Sequence, residues 1–240
     1  MINAQMEGTR RNPLPLWKRT LDILCLIAAL PALVPLMAII AIAIRLSSRG
    51  PVLFRQERVG LYGRIFVCYK FRTMKEAAAT QPHKAYLEKL INSSSPLRKL
   101  DADGDERIDR LGGVLRASGL DELPQVYNIL RGEMSLVGPR PCIGYECEKF
   151  KPQHRERFNA VPGLTGLWQV SGKNNTTFQE MIDLDIQYSR ELSFSKDVSI
   201  IFRTFPVLFQ QTAEGIKRRN LRKRALRDGS SPAPPTLTPV

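Results

Sequence analysis

Ile23-Leu-Cys-Leu-Ile-Ala-Ala-Leu-Pro-Ala-Leu-Val-Pro-Leu-Met-Ala-Ile-Ile-Ala-Ile-Ala-Ile44 is an uncharged run of 22 residues, and its reading decides what kind of protein this is. A bilayer-spanning helix needs about 20 apolar residues. A core helix of a soluble protein would keep a polar face, and this run has none. Pro31 and Pro35 stand in its middle. Each removes a backbone donor and clashes with the preceding turn, which favours a bend. Lys18 and Arg19 precede the run and Arg45 and Arg49 follow it, so neither end is marked for export by its charge. The simplest object with these properties is a helix–break–helix hairpin that enters one leaflet and returns. One kinked spanning helix with a short external N-terminus stays open as the alternative. The run does not read as a cleavable signal, being too long and lacking an Ala-x-Ala-like site directly after it.

Outward from this run the chain divides into a flexible segment 1–16, the membrane hairpin and its flanks 17–49, a cytoplasmic-face domain 50–213 and a tail 214–240. The tail opens with a basic run, Lys217 to Arg227, that contributes seven of the positive charges behind the net +13. It ends in a Pro/Ser-rich stretch of disordered composition. A basic run beside a membrane segment suits anionic lipid headgroups, at about 1 kcal/mol per residue near the surface. Nucleic-acid binding is not expected, because no interleaved aromatics or reader motif accompany the charge. Cys25, Cys68, Cys142 and Cys147 are scattered, with neither zinc nor disulfide spacing. His83 and His154 are the only histidines, both in polar surroundings and expected to be solvated. A histidine-based triad or zinc site is therefore not expected.

Within the domain, residues 51–54 and 65–70 read as strands around the turn Gly60-Leu-Tyr-Gly63. Residues 76–100 read as an insertion with one helix near 84–91. Ile108, Leu111 and Leu115 recur at helical spacing up to Ser118-Gly119, and a second helix is expected over 120–130, closed by Gly132. A strand over 133–137 leads into Gly138-Pro-Arg-Pro141. Helices near 145–158, 178–190 and 197–209, with a Gly-rich stretch at 162–172, complete the pattern. Val198, Ile201, Phe202, Phe205 and Leu208 form an apolar stripe that either packs in the core or lies on the membrane surface.

The chemistry gathers at Asp121-Glu122. Ser118-x-x-Asp121 has the form of a capping box, a purely structural use of one carboxylate. Its company points further. Arg116 lies five residues before the pair, and Arg140 is held between two prolines just after the next strand. Arginine matches phosphate oxygens two at a time and stays charged. Paired carboxylates, arginines and a helix start suit phosphate chemistry with a divalent cation.

Six stretches then carry a resemblance: Lys18-Arg-x-x-Asp22, Gly50-Pro-Val-Leu-Phe-Arg-Gln-Glu-Arg-Val-Gly60, Tyr69-Lys-Phe-Arg-Thr-Met74, Leu120-Asp-Glu-Leu-Pro-Gln125, Met134-Ser-Leu-Val-Gly-Pro-Arg-Pro141 and Pro162-Gly-Leu-Thr-Gly-Leu-Trp-Gln-Val170, with Asp185-x-x-Tyr188 beside them. In this order and spacing the chain resembles the bacterial sugar transferases, the small monotopic phosphoglycosyltransferases. Val161 and Lys173 depart from the residues frequent in that family. The resemblance implies an α/β, mostly α, fold: a re-entrant membrane helix, a compact cytoplasmic catalytic domain and interfacial amphipathic helices. It implies transfer of sugar-1-phosphate from a UDP-sugar to polyprenyl (undecaprenyl) phosphate with release of UMP. Asp121 would be the nucleophile, and Asp121 and Glu122 would flank Mg2+. Arg116 and Arg140 would hold phosphate, with Lys70 and Arg72 as weaker candidates. Lys18, Arg19, Asp22, Pro31 and Pro35 would belong to the hairpin. The implied location is the cytoplasmic face of the bacterial inner membrane with both termini inside, among membrane lipids, and a homodimer is left open. A non-catalytic membrane scaffold and a phosphate-ester hydrolase remain the competing classes.

Overall fold

The computed structural model describes residues 15–74, 96–97, 108, 110–172 and 175–227. The expected helix at 84–91, His83 and Lys173 lie outside the described residues. Among the described residues the fold is mostly helical with two small sheets.

Helix α1 (Leu16–Ser47) passes through both Pro31 and Pro35. The expected break is therefore not a loop between two helices; the prolines sit within one continuous helix, long and apolar enough to cross a membrane. Both of its ends are held by the same body. Leu26 joins a cluster with Phe66, Cys68, Val126, Ile129 and Met134, while Ile40 and Ile44 pack with Phe71 and Leu115. Lys18, Asp22 and Leu26, like Ile40 and Ile44, recur every fourth residue and so share one face. Leu24, Ile27, Val34, Ile39 and Ile42 are exposed instead.

Strands β1 (Leu53–Val59) and β2 (Ile65–Phe71) pair antiparallel, with Phe54 opposite Lys70 and Arg58 opposite Phe66. The hairpin matches expectation, but β1 extends to Val59, through Arg55-Gln-Glu-Arg58, whose charges hid its alternation. Helix α2 (Arg110–Ser118) ends at Gly119, which takes the left-handed conformation at φ 73°. The expected helix over 120–130 is instead a 3-10 turn, Leu120–Gln125, followed by α3 (Val126–Arg131). Pro124 lies inside that turn. Lacking an N–H, a proline cannot supply the donor that a regular helix interior needs. Gly132 closes α3 at φ 75°, as its sequence position suggested.

Strands β3 (Ser135–Val137) and β4 (Gly163–Thr165) run parallel. Their loops touch backbone to backbone: a Cβ on Gly138 would lie 2.1 Å from the Val161 carbonyl oxygen, and one on Gly163 2.0 Å from the Gly138 nitrogen. No side chain fits at either position, which explains both glycines. The expected helix near 145–158 is two pieces, α4 (Gly144–Cys147) and a 3-10 segment Pro152–Asn159, divided where Pro152 intervenes. His154 is buried there, not solvated, with Nδ1 accepting from the Lys151 amide. Burial lowers its pKa.

After α5 (Leu167–Val170), helix α6 (Phe178–Arg190) opens with a true capping box. Thr177 Oγ1 accepts from the Glu180 amide at 3.2 Å, and Glu180 Oε2 accepts from the Thr177 amide at 2.7 Å. The helix buries Phe178, Met181, Ile182, Asp185, Ile186 and Tyr188 against the core. Helix α7 (Phe194–Arg227) continues far past residue 209. The apolar stripe divides between packed and exposed positions. Ile200 is buried, and Ile201 and Val207 pack partly against the core, whereas Phe202, Phe205 and Phe209 point outward.

Candidate active site

Asp121 sits in the 3-10 turn, only 8% exposed, with Glu122 next to it. The capping-box explanation for Asp121 fails. Ser118 is the last residue of α2, and its hydroxyl donates back to the Val114 and Leu115 carbonyls of its own helix. No side chain caps the turn. The carboxylates are thus presented by a tight turn whose entry is set by left-handed Gly119, and Leu208 of α7 packs beside that glycine.

β2 supplies the first cations. Lys70 Nζ donates to Glu122 Oε1 at 2.6 Å, with both side chains partly open. Three residues on, buried Thr73 offers its hydroxyl to Arg116 Nη1 at 3.3 Å. Lys70, Glu122 and Arg116 therefore gather around the end of β2 and the carboxylate turn. Arg140 approaches from the β3 side. The charges of Lys70, Arg58, Glu122 and Arg140 all reach the buried Cys68 thiol, whose pKa is raised chiefly by burial. Arg72 goes elsewhere: it donates to the Arg49 carbonyl at 2.9 Å and to Ser48, tying β2 to the exit of α1.

The entry of α1 is wired into the same domain. Lys18 Nζ donates to the Val137 carbonyl at 2.8 Å, to Tyr188 Oη at 2.9 Å and to Asp197 Oδ2 at 2.5 Å. Asp22 Oδ1 accepts from Ser135 Oγ and from the Leu136 amide, each at 2.9 Å. Arg19 caps the end of α3 through the Ile129 and Leu130 carbonyls. The motif Lys18-Arg-x-x-Asp22 is thus a clamp on β3, the strand that leads directly to Gly138-Pro-Arg-Pro141.

Sequence reasoning gave no role to a buried ionic cluster behind Arg140. Glu146, fully buried on α4, faces Arg140 Nη1 at 3.4 Å. Burial pushes the Glu146 carboxyl up, but Arg140, Arg58 and Arg157 together bring it below its ordinary range. Arg157 pairs with Asp185 of α6 and lies over the rings of Phe150 and Phe158. Burial raises the Asp185 pKa to about 6, against the pull of Arg157. The only sequence signal was that Arg58 and Asp185 fall within the motif stretches; Glu146 and Arg157 lay in the helix expected near 145–158 with no role assigned.

A metal needs oxygen donors of the right hardness. Asp121 and Glu122 supply two carboxylates, and among the described residues no cluster of three or more His, Cys, Asp or Glu side chains exists. Two carboxylates suit Mg2+, which keeps several waters and is completed by substrate phosphates, rather than a closed zinc or calcium cage.

A family model described as bacterial sugar transferase matches residues 14–211. The chain is 43% identical over 164 residues to galactosyl transferase CpsE of Streptococcus agalactiae, covering 68% of this chain and 36% of CpsE. It is 37% identical over 198 residues to the exopolysaccharide production protein ExoY of Sinorhizobium fredii, covering 80% of this chain and 84% of ExoY. It is 39% identical over 210 residues to a UDP-glucose:undecaprenyl-phosphate glucose-1-phosphate transferase of Caulobacter vibrioides, covering 82% and 73%. The chain spans most of the latter two but only about a third of CpsE. With the matched region running from the start of α1 into α7 and enclosing the Asp121-Glu122 turn, this chain belongs to the bacterial sugar transferase family.

Proposed function

We propose that the protein transfers sugar-1-phosphate from a UDP-sugar to polyprenyl phosphate, releasing UMP, through a covalent intermediate on Asp121. The observation that carries this reading is the Asp121-Glu122 turn: a nearly buried aspartate next to a half-open glutamate that Lys70 of β2 already pairs with, in the segment that follows Arg116. In the first step an Asp121 carboxylate oxygen attacks the β-phosphorus of the donor, and the bond to the UMP oxygen breaks. In the second, an oxygen of the lipid phosphate attacks the same phosphorus and the Asp121 carboxylate leaves. An acyl phosphate is activated enough for a weak nucleophile, so one hard displacement becomes two easier ones. Arg116, Arg140 and Lys70 hold the phosphate oxygens, while the geometry gives Arg72 a task at the junction with α1. Mg2+ held by Asp121 and Glu122 would offset the repulsion between carboxylate and pyrophosphate. Relatives are named for both galactose and glucose transfer, and both donors enter the test.

The reading includes a location. α1 is apolar all round yet gripped at both ends by the catalytic body, with exposed apolar residues between, and α7 adds Phe202, Phe205 and Phe209 on one face. A helix bent at Pro31 and Pro35, entering one leaflet and coming back without an intervening loop, would satisfy both facts, and it would leave the site at the headgroup level on the cytoplasmic side of the inner membrane. There a water-soluble nucleotide sugar and a membrane-held phosphate meet without crossing the bilayer.

The test is incubation of the membrane-bound protein with radiolabelled UDP-galactose or UDP-glucose, undecaprenyl phosphate and Mg2+. Labelled lipid together with UMP supports the reading. Sugar-phosphate released equally with and without lipid indicates a hydrolase, and no turnover of any UDP-sugar indicates a scaffold. For topology, tags at residues 1 and 240 should stay unreactive to impermeant reagents outside intact cells and react once the membrane is opened. Replacing Pro31 and Pro35 together by Leu should let the run span, at about 33 Å for 22 residues, and expose some N-termini outside. External labelling of the unaltered N-terminus would replace the re-entrant reading with a single-pass anchor.

A further inference from the structure

We infer that Glu146 is a positioning residue that aims the Arg140 guanidinium, with Arg58 and Arg157 fixing the backbone from which Arg140 hangs; this rests on the reading of Arg140 as a phosphate-holding group. Two consecutive carbonyls are gripped from different elements. The Arg140 carbonyl accepts from Arg157 Nη2, and the Pro141 carbonyl accepts from Arg58 Nη1, both at 2.9 Å. Arg58 comes from β1 and Arg157 from the 3-10 segment before β4, so the Arg140-Pro141 dipeptide is held between them. Each anchor is itself fixed: Arg58 Nη2 donates to Gln56 Oε1 at 2.6 Å, and Arg157 is locked to Asp185.

Glu146 then sets the side chain. Its carboxylate meets Arg140 Nη1 at 3.4 and 3.5 Å and accepts the Ile143 amide at 3.2 Å, which orients the carboxylate before the arginine arrives. The contact to Arg140 is longer than a strong hydrogen bond. It restrains the guanidinium from one edge without consuming it. Arg58, Arg157 and Glu146 are buried, whereas the Arg140 side chain keeps 31% of its surface. Of these four charges, Arg140 is the one that reaches solvent, and the other three are arranged around its root.

A purely structural ionic core would have no reason to present one member outward. Crowding three guanidiniums is also unfavourable: Arg58 is held below its ordinary pKa by burial and then by the charge of Arg140. The cluster makes sense if its product is a guanidinium pre-aimed at an anion, because an arginine that must first find its geometry on binding loses rotamer freedom at that moment.

The full-length protein in detergent or nanodiscs decides this by a double-mutant cycle on UMP release from UDP-galactose and UDP-glucose. Arg140→Ala should lower kcat/KM about a hundredfold and Glu146→Gln about tenfold. The double variant should be no worse than Arg140→Ala within a factor of two, since a residue that acts through Arg140 has nothing left to aim. Guanidinium chloride should restore part of the Arg140→Ala activity and none in the double variant. Losses that multiply in the double variant, or equal rescue in both, overturn the positioning role while leaving the reaction intact. Wild-type activity of Arg140→Ala, with Asp121→Asn dead, overturns the phosphate role of Arg140 and this inference with it. Because Glu146→Gln leaves buried cations less compensated, circular dichroism accompanies it. Should it misfold, Glu146→Asp, which keeps the charge but withdraws it by a methylene, runs the same cycle with the same deciding outcomes.

Discussion

Lys18–Asp197 and Lys70–Glu122 are both lysine–carboxylate pairs, at 2.5 and 2.6 Å, and they have opposite characters. The first is dry: its side chains are 3% and 1% exposed, and Tyr188 and the Val137 carbonyl complete the lysine's bonds. The second is 23% and 39% exposed and lies next to a nearly buried aspartate. Burial makes a charge pair costly to disturb, because breaking it strands a charge in a poorly solvating interior. Partial exposure leaves a pair free to exchange partners at small cost. The difference teaches which charges hold the molecule together and which are placed to meet a ligand.

The sharpest way to break that division is Asp121→Asn. The amide keeps the shape of the turn but cannot act as a carboxylate nucleophile, so turnover should fall to background while the unfolding temperature and membrane binding barely change. Incubation with UDP-sugar alone should leave a sugar-phosphate mass on the wild-type peptide containing residue 121, and none on the variant. Near-normal turnover by the variant would sink the covalent mechanism.

Lys18→Met should show the reverse pattern. The methionine fills the space but leaves Asp197 buried beside Tyr188 without its cation. The expected loss is about 3–5 kcal/mol, or on the order of 10 °C in unfolding temperature for a chain of this size, read by thermal unfolding in nanodiscs. Because Lys18 ties α1 to α7 through this pair and to β3 through the Val137 carbonyl, activity should fall in proportion to the folded fraction. A variant as stable as wild type would mean that the interior around Asp197 relaxes or admits water.

These contrasts show what was legible in the sequence. The apolar run, the β1–β2 hairpin and the Gly132 stop followed from pattern and spacing, which are local properties, whereas Lys70 entered only through the family resemblance. What was not legible depended on which partner a side chain finds. Ser118-x-x-Asp121 and Thr177-x-x-Glu180 look alike as text, yet only the second caps a helix, because Ser118 is already inside one. Nothing local marks Arg58 or Glu146 for burial, which comes from elements remote in the chain, with Arg58 reaching a carbonyl 83 residues away. Pro152 and Pro124 likewise cut two expected helices into shorter pieces that periodicity alone had joined.

A smaller effect is expected from Arg140→Lys. The charge stays, but the planar two-point match to phosphate is lost, along with the geometry set by Glu146. Activity should drop about tenfold, equivalent to roughly 1.4 kcal/mol of transition-state stabilisation, with little change in stability because the side chain is partly exposed. Steady-state UMP release measures it. Activity within a factor of two would move Arg140 from the ligand-facing group of charges to the structural one.

The smallest effect tests whether distance or burial sets the division. Arg190 and Glu156 form an ion pair at 2.6 Å, about as close as Lys18 and Asp197, but their side chains are 65% and 41% exposed. Water already solvates both charges, so the pair gains little Coulomb energy and must hold two long side chains still to keep it. Exposed pairs of this kind contribute at most about 1 kcal/mol. Arg190→Ala should therefore shift the unfolding temperature by no more than a few degrees and leave turnover unchanged, since neither residue approaches the Asp121 turn. Raising the salt concentration should shrink even that shift, because exposed charges are screened within about 10 Å at 0.1 M, while the penalty of Lys18→Met should hardly respond. If Arg190→Ala proved as damaging as Lys18→Met, close approach alone would decide the strength of these pairs, and the contrast between the dry junction and the open site would lose its physical basis.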